Sequence, residues 1–231
     1  MMSEFERMLQ GVWEDIDAVA SRVGRAGDVT LVAVSKTVPA ERVREAYAAG
    51  HRVFGENRVQ EGAAKIAALN RDMPDASWHL IGHLQTNKTK QAVECFDVIQ
   101  SVDSVRLARR LDAQYQVPES RLRVLLEVNV ANERSKSGFH ADEIASAMCD
   151  IQSLEHLRVV GLMTVAPLVR DAEEVRPVFR RLRELRDALR AASDLPDLHH
   201  LSMGMSNDFR VAIEEGATIV RLGRAIFGER P

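Results

Sequence analysis

The chain has 231 residues, with Lys+Arg 31 against Asp+Glu 34, a length that suits one large domain or two small ones with room for a buried core. Hydrophobic residues at 45% and charged residues at 28% argue against disordered, collagen-like and disulfide-scaffold classes. A formal net charge of -3 gives no electrostatic footprint for nucleic acid or an anionic membrane, so any anion site must be local.

The first predicted element is a helix, carried by Phe5, Met8, Leu9, Val12, Ile16, Val19, Ala20 and Val23 at helical spacing and stopped at Gly24. After it, short apolar runs alternate with helical segments. Strands are expected at Val29–Ser35, Arg52–Phe54, Trp78–Ile81, Val98–Ser101, Val124–Val130, Val159–Thr164, His199–Ser202 and Thr218–Leu222. Helices are expected between them near Ala40–Ala49, Arg58–Asn70, Asn87–Cys95, Ser104–Gln114, Ala141–Gln152, Val178–Ala191 and Asn207–Glu215. The strands are rich in Val, Leu and Ile with weak alternation, as strands buried on both faces of a parallel sheet read. About 25 residues per unit accommodate a strand, a helix and two short loops.

The expected fold class is therefore α/β, a single (β/α)8 TIM-like barrel with an extra N-terminal helix. Residues 1–25 form the leading helix and residues 29–229 the eight βα units of one domain. An open doubly wound sheet would carry GxGxxG after its first strand, where this chain reads SKTVPA. The Arg-rich segment from Arg176 to Arg190, with Phe179, Leu182, Leu185 and Leu189 on one side, reads as the solvated face of an amphipathic helix.

The N-terminus, MMSEFERMLQ, lacks a basic region followed by an apolar core, and the longest uncharged apolar stretch, Val159 to Val169, is too short to span a bilayer. Cys95 and Cys149 have no CxxC spacing and read as reduced packing residues, so the cytoplasm is the expected location, with no membrane or nucleic-acid partner. His199 and His200 lack partners at zinc-ligand spacing, and no HExxH, GxSxG or GxxxxGK[ST] occurs, so no metal is expected.

In a barrel of this kind function sits at the C-terminal ends of the strands. The polar residues that follow the runs are Lys36, then Gly55, Glu56 and Asn57, then Gly82, His83 and Gln85, then Asp103. Asn129 precedes Ser135, Lys136, Ser137 and Gly138; Thr164 ends the sixth run, and Ser202 to Ser206 and Arg221 with Gly223 belong to the last two. A lysine shielded by the apolar run LVAVS can supply the neutral amine that Schiff-base formation with an aldehyde needs. SMGMSND supplies Ser206 as a helix cap and phosphate donor, and RLGRAIFG supplies Gly223 and Arg224 at the start of one helical turn, the positions where such barrels commonly hold a phosphate. The two ends of the barrel meet on closure, so an aldehyde and a phosphate on one small molecule can be held together. Pyridoxal 5'-phosphate (PLP) fits that description, and so does a phosphosugar aldolase substrate.

The motifs AVSKTVPA, FGENRVQEG, WHLIGHLQTNK, SVDS, EVNVANERSKSGF, GLMTVAP, LSMGMSNDF and VRLGRAIFG, in this order from about Val29 to Glu229, resemble the pyridoxal phosphate homeostasis protein family, single-domain relatives of the alanine racemase N-terminal barrel. The resemblance implies a fold-type III PLP barrel in which Lys36 forms the internal aldimine and Asn57 lies near the cofactor's 3-oxygen. It implies further that Ser206, Gly223 and Arg224 hold the phosphate, Arg224 through its backbone N–H, with Met203 close to the ring and Arg221 facing the pyridine nitrogen. His83 and Thr164 are candidates for a supporting layer, and no residue takes a catalytic role. A fixed cation beside the ring nitrogen disfavours its protonation and weakens the cofactor as an electron sink. The chain departs from the family at Arg224, where a small hydroxyl residue is common, and at Arg58, where a tyrosine is frequent; the position of His83 varies within the family.

The function so implied is to carry or buffer PLP, with PLP-dependent apoenzymes as acceptors, supporting vitamin B6 and amino-acid homeostasis without robust catalysis. The alternative, a PLP-dependent amino-acid racemase, needs a second base, which fold-type III racemases take from a tyrosine on an additional C-terminal β domain. The chain stops at Pro231, directly after its eighth unit, and Tyr47 and Tyr115 fall in or beside outer helices, so that partner for Lys36 is not expected. Aldolase chemistry does not predict Arg221. The expected oligomeric state is a monomer.

Overall fold

The computed structural model describes residues 4–131, 133, 137–192 and 195–228. Among them, eight parallel strands close into a barrel in sequence order, β1 pairing with both β2 and β8. The order of elements is α1 (Glu4–Arg22), β1 (Thr30–Val34), α2 (Ala40–Ala48), β2 (Val53–Glu56), α3 (Val59–Leu69), β3 (Ser77–Leu80), α4 (Thr89–Cys95), β4 (Val98–Val102) and α5 (Val105–Gln114). It continues with β5 (Leu122–Glu127), α6 (Ile144–Gln152), β6 (Leu157–Met163), α7 (Arg176–Ala192), β7 (His200–Ser202), α8 (Phe209–Glu214), β8 (Ile219–Leu222) and the four-residue α9 (Arg224–Phe227).

Every expected strand and helix is present, with shifted ends. β5 and β6 start two residues earlier than their apolar runs, at Leu122 and Leu157, and the paired Arg123 and Arg158 that follow are exposed. At the N-terminal rim of a barrel a charged side chain reaches water without leaving the ladder, so an arginine there does not end the strand. β5 stops at Glu127 because the chain turns: the Asn129 carboxamide accepts from Glu133 N at 3.1 Å and donates to Glu133 O at 2.8 Å. Ser135 and Lys136, which the sequence places after this strand, lie outside the described residues, as does residue 229.

Strand side chains alternate between the two faces of the barrel wall, and the core divides accordingly. Leu31, Ala33, Phe54, Trp78, Leu80, Ile99, Val124, Leu126, Leu201, Val220 and Leu222 belong to the large apolar layer beneath the helices. Val32, Val98, Leu125, Val160, Met163 and Ile219 form a second, smaller cluster inside the barrel. The same parity turns His79, Gln100, Ser202 and Arg221 inward, and all four are buried. α1 contacts α8, α9 and α2, so it completes the outer ring at the place where the eighth unit supplies only one helical turn.

Candidate functional site

A cavity of about 750 Å3 opens at the C-terminal ends of the strands, and its lining includes Lys36, Asn57, Ser206, Arg221, Gly223 and Arg224. Six of the residues singled out in the sequence therefore meet in one place. Barrel closure explains it: Val32 pairs with Arg221 and Ala33 with Leu222 across β1 and β8, which brings Lys36 beside the turn at Gly223. Gly223 lets that turn approach closely, since a Cβ there would stand 3.3 Å from Val34 O. Asn57 is set by a glycine as well. A Cβ on Gly82 would fall 2.3 Å from Asn57 O, so only glycine lets the strand-end loops of β2 and β3 cross at this distance.

Arg221 is a guanidinium inside the barrel, 5% exposed. Its NH1 donates to Ser202 Oγ at 2.6 Å and its NH2 to Thr164 O at 2.9 Å. Burial pulls its pKa down to about 10, against the opposing pull of Glu127 and Asp208, which still leaves it charged at neutral pH. Thr164 does not line the cavity; it supports Arg221 through its carbonyl, and its hydroxyl donates to Val128 O at 2.8 Å.

Arg224 opens α9, so its N–H has no intrahelical acceptor, as first-turn groups do; Ser206, expected to cap α8, instead stands two residues before the actual cap, Asp208, in the turn that leads into the helix. Among the described residues, the N–H groups of Ser206 and Arg224 have no hydrogen-bond partner, whereas Met205 N is capped by Asp208 Oδ1 at 2.6 Å. The Arg224 side chain turns along the rim and donates to Asn207 Oδ1 at 3.1 Å, which ties the two turns together. A set of free N–H groups flanked by a serine hydroxyl and a cationic rim suits a phosphate.

Besides Thr164, two expected residues stand apart from the cavity. Met203 is wholly buried in the outer apolar layer, and Met205 lines the cavity instead. His83 is exposed, with Nδ1 3.1 Å from Asp103 Oδ2 and 3.5 Å from Ser137 Oγ, and is not part of the lining. Besides Met205, further contributors to the wall carry no clear signal in the sequence. Asp208, whose carboxyl burial pushes above its usual range, lies in the wall with Asn207; the SMGMSNDF motif contained both, without a signal for their direction. The loop from Val165 to Ala172 forms one side of the cavity and carries Leu168, 88% exposed. In the sequence its residues up to Val169 only continue the uncharged apolar stretch beyond the strand end expected at Thr164.

At the other end of the barrel a wider cleft of about 940 Å3 lies among Arg121, Arg123, Arg158 and Asp197. Arg158 is already bonded to Asp197 at 2.9 and 2.5 Å, and among the described residues no lysine lines the cleft.

A closed parallel barrel with a lysine after its first strand and unpartnered backbone N–H groups near its last two strand ends suits an alanine racemase-like barrel, and the family match shows that class. Residues 9–231 match the family described as alanine racemase, N-terminal domain. The chain is 45% identical over 230 residues to the pyridoxal phosphate homeostasis protein of Aquifex aeolicus, covering 99% of both chains, and 40% identical over 233 residues to that of Escherichia coli, covering 99% and 98%. The chain belongs to the pyridoxal phosphate homeostasis protein family. Among solved structures, PipY of Synechococcus elongatus with PLP bound superposes with a TM-score of 0.83 at 40% identity, covering 94% of this chain and 100% of that one. Alanine racemase of Clostridium difficile shares the fold at a TM-score of 0.69 and 14% identity, and the match covers 94% of this chain but 57% of the racemase.

Proposed function

We propose that the chain binds pyridoxal 5'-phosphate in the cavity at the strand ends, joins it covalently through Lys36, and carries or buffers it for PLP-dependent apoenzymes without robust catalysis. The observation that carries this reading is the convergence of Lys36, the Ser206 and Arg224 N–H groups and Arg221 on one cavity of about 750 Å3. The residues fit the cofactor: an amine for its aldehyde, N–H donors for its phosphate, Asn57 for its 3-oxygen, and Arg221 for its ring nitrogen. The PLP-bound PipY relative supports the same reading.

When bound, PLP supplies an electron sink whose strength depends on protonation of its ring nitrogen. Arg221 acts against that strength. It can only donate, it is charged at neutral pH, and Ser202 and Thr164 fix its direction, so a ring nitrogen facing it stays unprotonated. Nor does the cavity lining offer a tyrosine as a second base: the Tyr47 hydroxyl bonds Asp75 and the Tyr115 hydroxyl lies 3.1 Å from Ser120 Oγ, both away from the cavity. These features favour a carrier over a racemase. We further propose that the whole chain works as one cofactor-binding unit and as a monomer, in a cytoplasm whose reducing conditions suit the free thiols of Cys95 and Cys149.

The test is the absorbance spectrum of purified protein, followed by borohydride reduction and peptide mapping. A reduced adduct on Lys36 that disappears in Lys36→Ala is the expected result, and a colourless protein that takes up no added PLP would sink the reading. Assays of racemase and decarboxylase activity across amino acids address the second part: substantial turnover above free PLP would make the protein an enzyme.

A further inference from the structure

Lys36 follows β1 with the parity of Val32 and Val34, which turns it towards the barrel axis and the cavity; Ser35, one residue earlier, faces the helix layer. On that outer side lies a buried ionic cluster that has no part in the site described above. Glu56, the last residue of β2, is 0% exposed, and its Oε1 accepts from Lys65 Nζ of α3 at 2.6 Å and from Ser35 Oγ at 2.7 Å. Lys65 Nζ also donates to Ser35 O at 2.5 Å and lies 3.5 Å from Glu61 Oε1. Glu61 Oε1 in turn accepts from Thr37 N at 2.5 Å.

The two backbone groups held here belong to the two peptide planes that meet at Lys36. Ser35 O lies in the plane before its Cα and Thr37 N in the plane after it. Because each peptide is rigid, fixing both planes fixes φ and ψ of Lys36 and so the direction of its Cα–Cβ bond. We propose that the Glu56–Lys65–Glu61 cluster positions Lys36 for covalent capture of an aldehyde by gripping the peptide planes on both sides of it. This inference rests on the reading that Lys36 takes the aldehyde of PLP.

Two further features fit a device kept for geometry. Taking Lys65 and Glu56 out of water costs several kcal/mol per ion in general, a well-packed apolar pair is often at least as stable, and Glu56 Oε2 finds no partner among the described residues. Thr37 is held at φ 62, a left-handed conformation that is rare for a β-branched residue and that needs an external constraint. α3 reaches this position because its Gly62 lies against β2 and Phe96, the residue that follows α4. A Cβ there would come 2.5 Å from Phe96 Cζ and 3.2 Å from Glu56 Cβ.

In the captured step the neutral Lys36 amine adds to the aldehyde carbon, a C=N bond replaces the C=O bond, and the oxygen leaves as water with the two amine protons. Pyridoxamine 5'-phosphate has the same ring and phosphate but carries an amine in place of the aldehyde, so it reports the pocket without the covalent step. The experiment compares dissociation constants for the two compounds, and the rate of borohydride-trappable adduct formation at Lys36, in wild type, Glu61→Ala and Glu61→Gln. Glu61 is partly exposed, and Gln retains an oxygen acceptor for Thr37 N–H. Glu61→Ala is expected to reduce the preference for PLP over pyridoxamine 5'-phosphate, and the trapping rate, by roughly tenfold, the scale of lost pre-orientation, with pyridoxamine 5'-phosphate affinity unchanged. Glu61→Gln is expected to restore both. Wild-type preference and trapping rate in Glu61→Ala overturn the proposal, and so does a parallel loss of affinity for both compounds, which marks a structural role. A wild-type protein that binds no PLP overturns the functional reading, and the proposal with it.

Discussion

Arg221 spends its hydrogen-bonding capacity inside the barrel in a chain of consistent polarity. It donates to Ser202 Oγ, Ser202 donates to Gln100 Oε1 at 2.6 Å, and Gln100 Nε2 donates to His79 Nδ1 at 2.8 Å. The direction is forced from one end by arginine, which has no acceptor, and at the other by a histidine that must present a lone pair at Nδ1. Burial pushes the His79 pKa down to about 3, so the ring is neutral at ordinary pH and the chain is not interrupted by a second cation. Ser202 is the link that both accepts and donates. Ser202→Ala therefore leaves a buried guanidinium N–H and the Gln100 carbonyl without partners, and is expected to cost about 1–3 kcal/mol in urea denaturation and to weaken PLP binding. A variant with wild-type stability and affinity would show that Arg221 needs no such support. Part of this chain is legible in the sequence, because Arg221 falls in the last expected strand and the family resemblance implies that it faces the cofactor's ring nitrogen. Gln100 and His79 are not legible as its partners: they sit on β4 and β3, and only barrel closure brings four strands to one axis.

α1 is recognisable from its helical spacing, but its place is not, because nothing local tells a leading helix from a member of the ring. The structure uses it to cover the gap beside α9, with Phe5 against Phe227 at 5.8 Å between ring centroids and Ile16 fully buried. Ile16→Ala is accordingly expected to cost about 2–5 kcal/mol, as large-to-small changes at fully buried positions do, measured as a lower urea midpoint. A loss within about 0.5 kcal/mol, the scale of ordinary surface changes, would show α1 to be a loosely attached appendage. The arginine face of α7 follows the same logic. Its apolar side, Phe179, Leu182, Leu185 and Leu189, is buried as the pattern predicts, but the opposite side is more than solvated. Arg176, Arg180 and Arg183 converge on the Glu215 carboxylate at 3.2, 3.0 and 3.0 Å, just beyond the end of α8. Burial disfavours charge on Glu215, yet the bonds from Arg180 and Arg176 prevail and hold its pKa below the usual carboxylate value. The charge period is visible in the sequence while the acceptor, some thirty residues on, is not. Glu215→Gln is expected to destabilise by roughly 1–3 kcal/mol, less than a fully buried pair because the arginines are partly exposed. The loss should diminish in acid, where wild-type Glu215 becomes protonated as the pH falls below the ordinary carboxylate value.

The molecule as a whole places titratable groups where water is scarce, and these set its dependence on pH. Burial lowers the pKa of His51, His79 and His200, with the Arg123 charge adding to the effect at His79 and His200. A histidine whose folded pKa lies below its unfolded value near 6.5 binds its proton more readily in the unfolded chain. Its contribution to stability is thus fully present above about pH 6.5 and is lost as the pH falls towards the folded pKa, which for His79 is about 3. Burial raises Glu56, Glu127 and Asp208 instead, so their contributions have the opposite sign, present below the unfolded carboxylate pKa and lost as the pH rises through the folded one. Descending from neutral pH, the unfolded chain begins to take up histidine protons near 6.5, while the folded chain takes up protons on the raised carboxylates, so the two sets of groups act in opposite directions. The histidine contribution to stability should therefore fall between pH 6.5 and 5, approaching about 1.4 kcal/mol per pH unit for His79 alone and less for the two histidines with smaller shifts. Urea denaturation at half-unit pH steps from 7.5 to 5 measures it. His79→Gln keeps an oxygen to accept from Gln100 and removes the titrating ring, so it is expected to flatten the profile by up to about 1.4 kcal/mol per pH unit. Equal slopes in wild type and His79→Gln over this range would mean that His79 is reached by water and titrates normally, and the closed polar chain behind Arg221 would then have to be open to solvent.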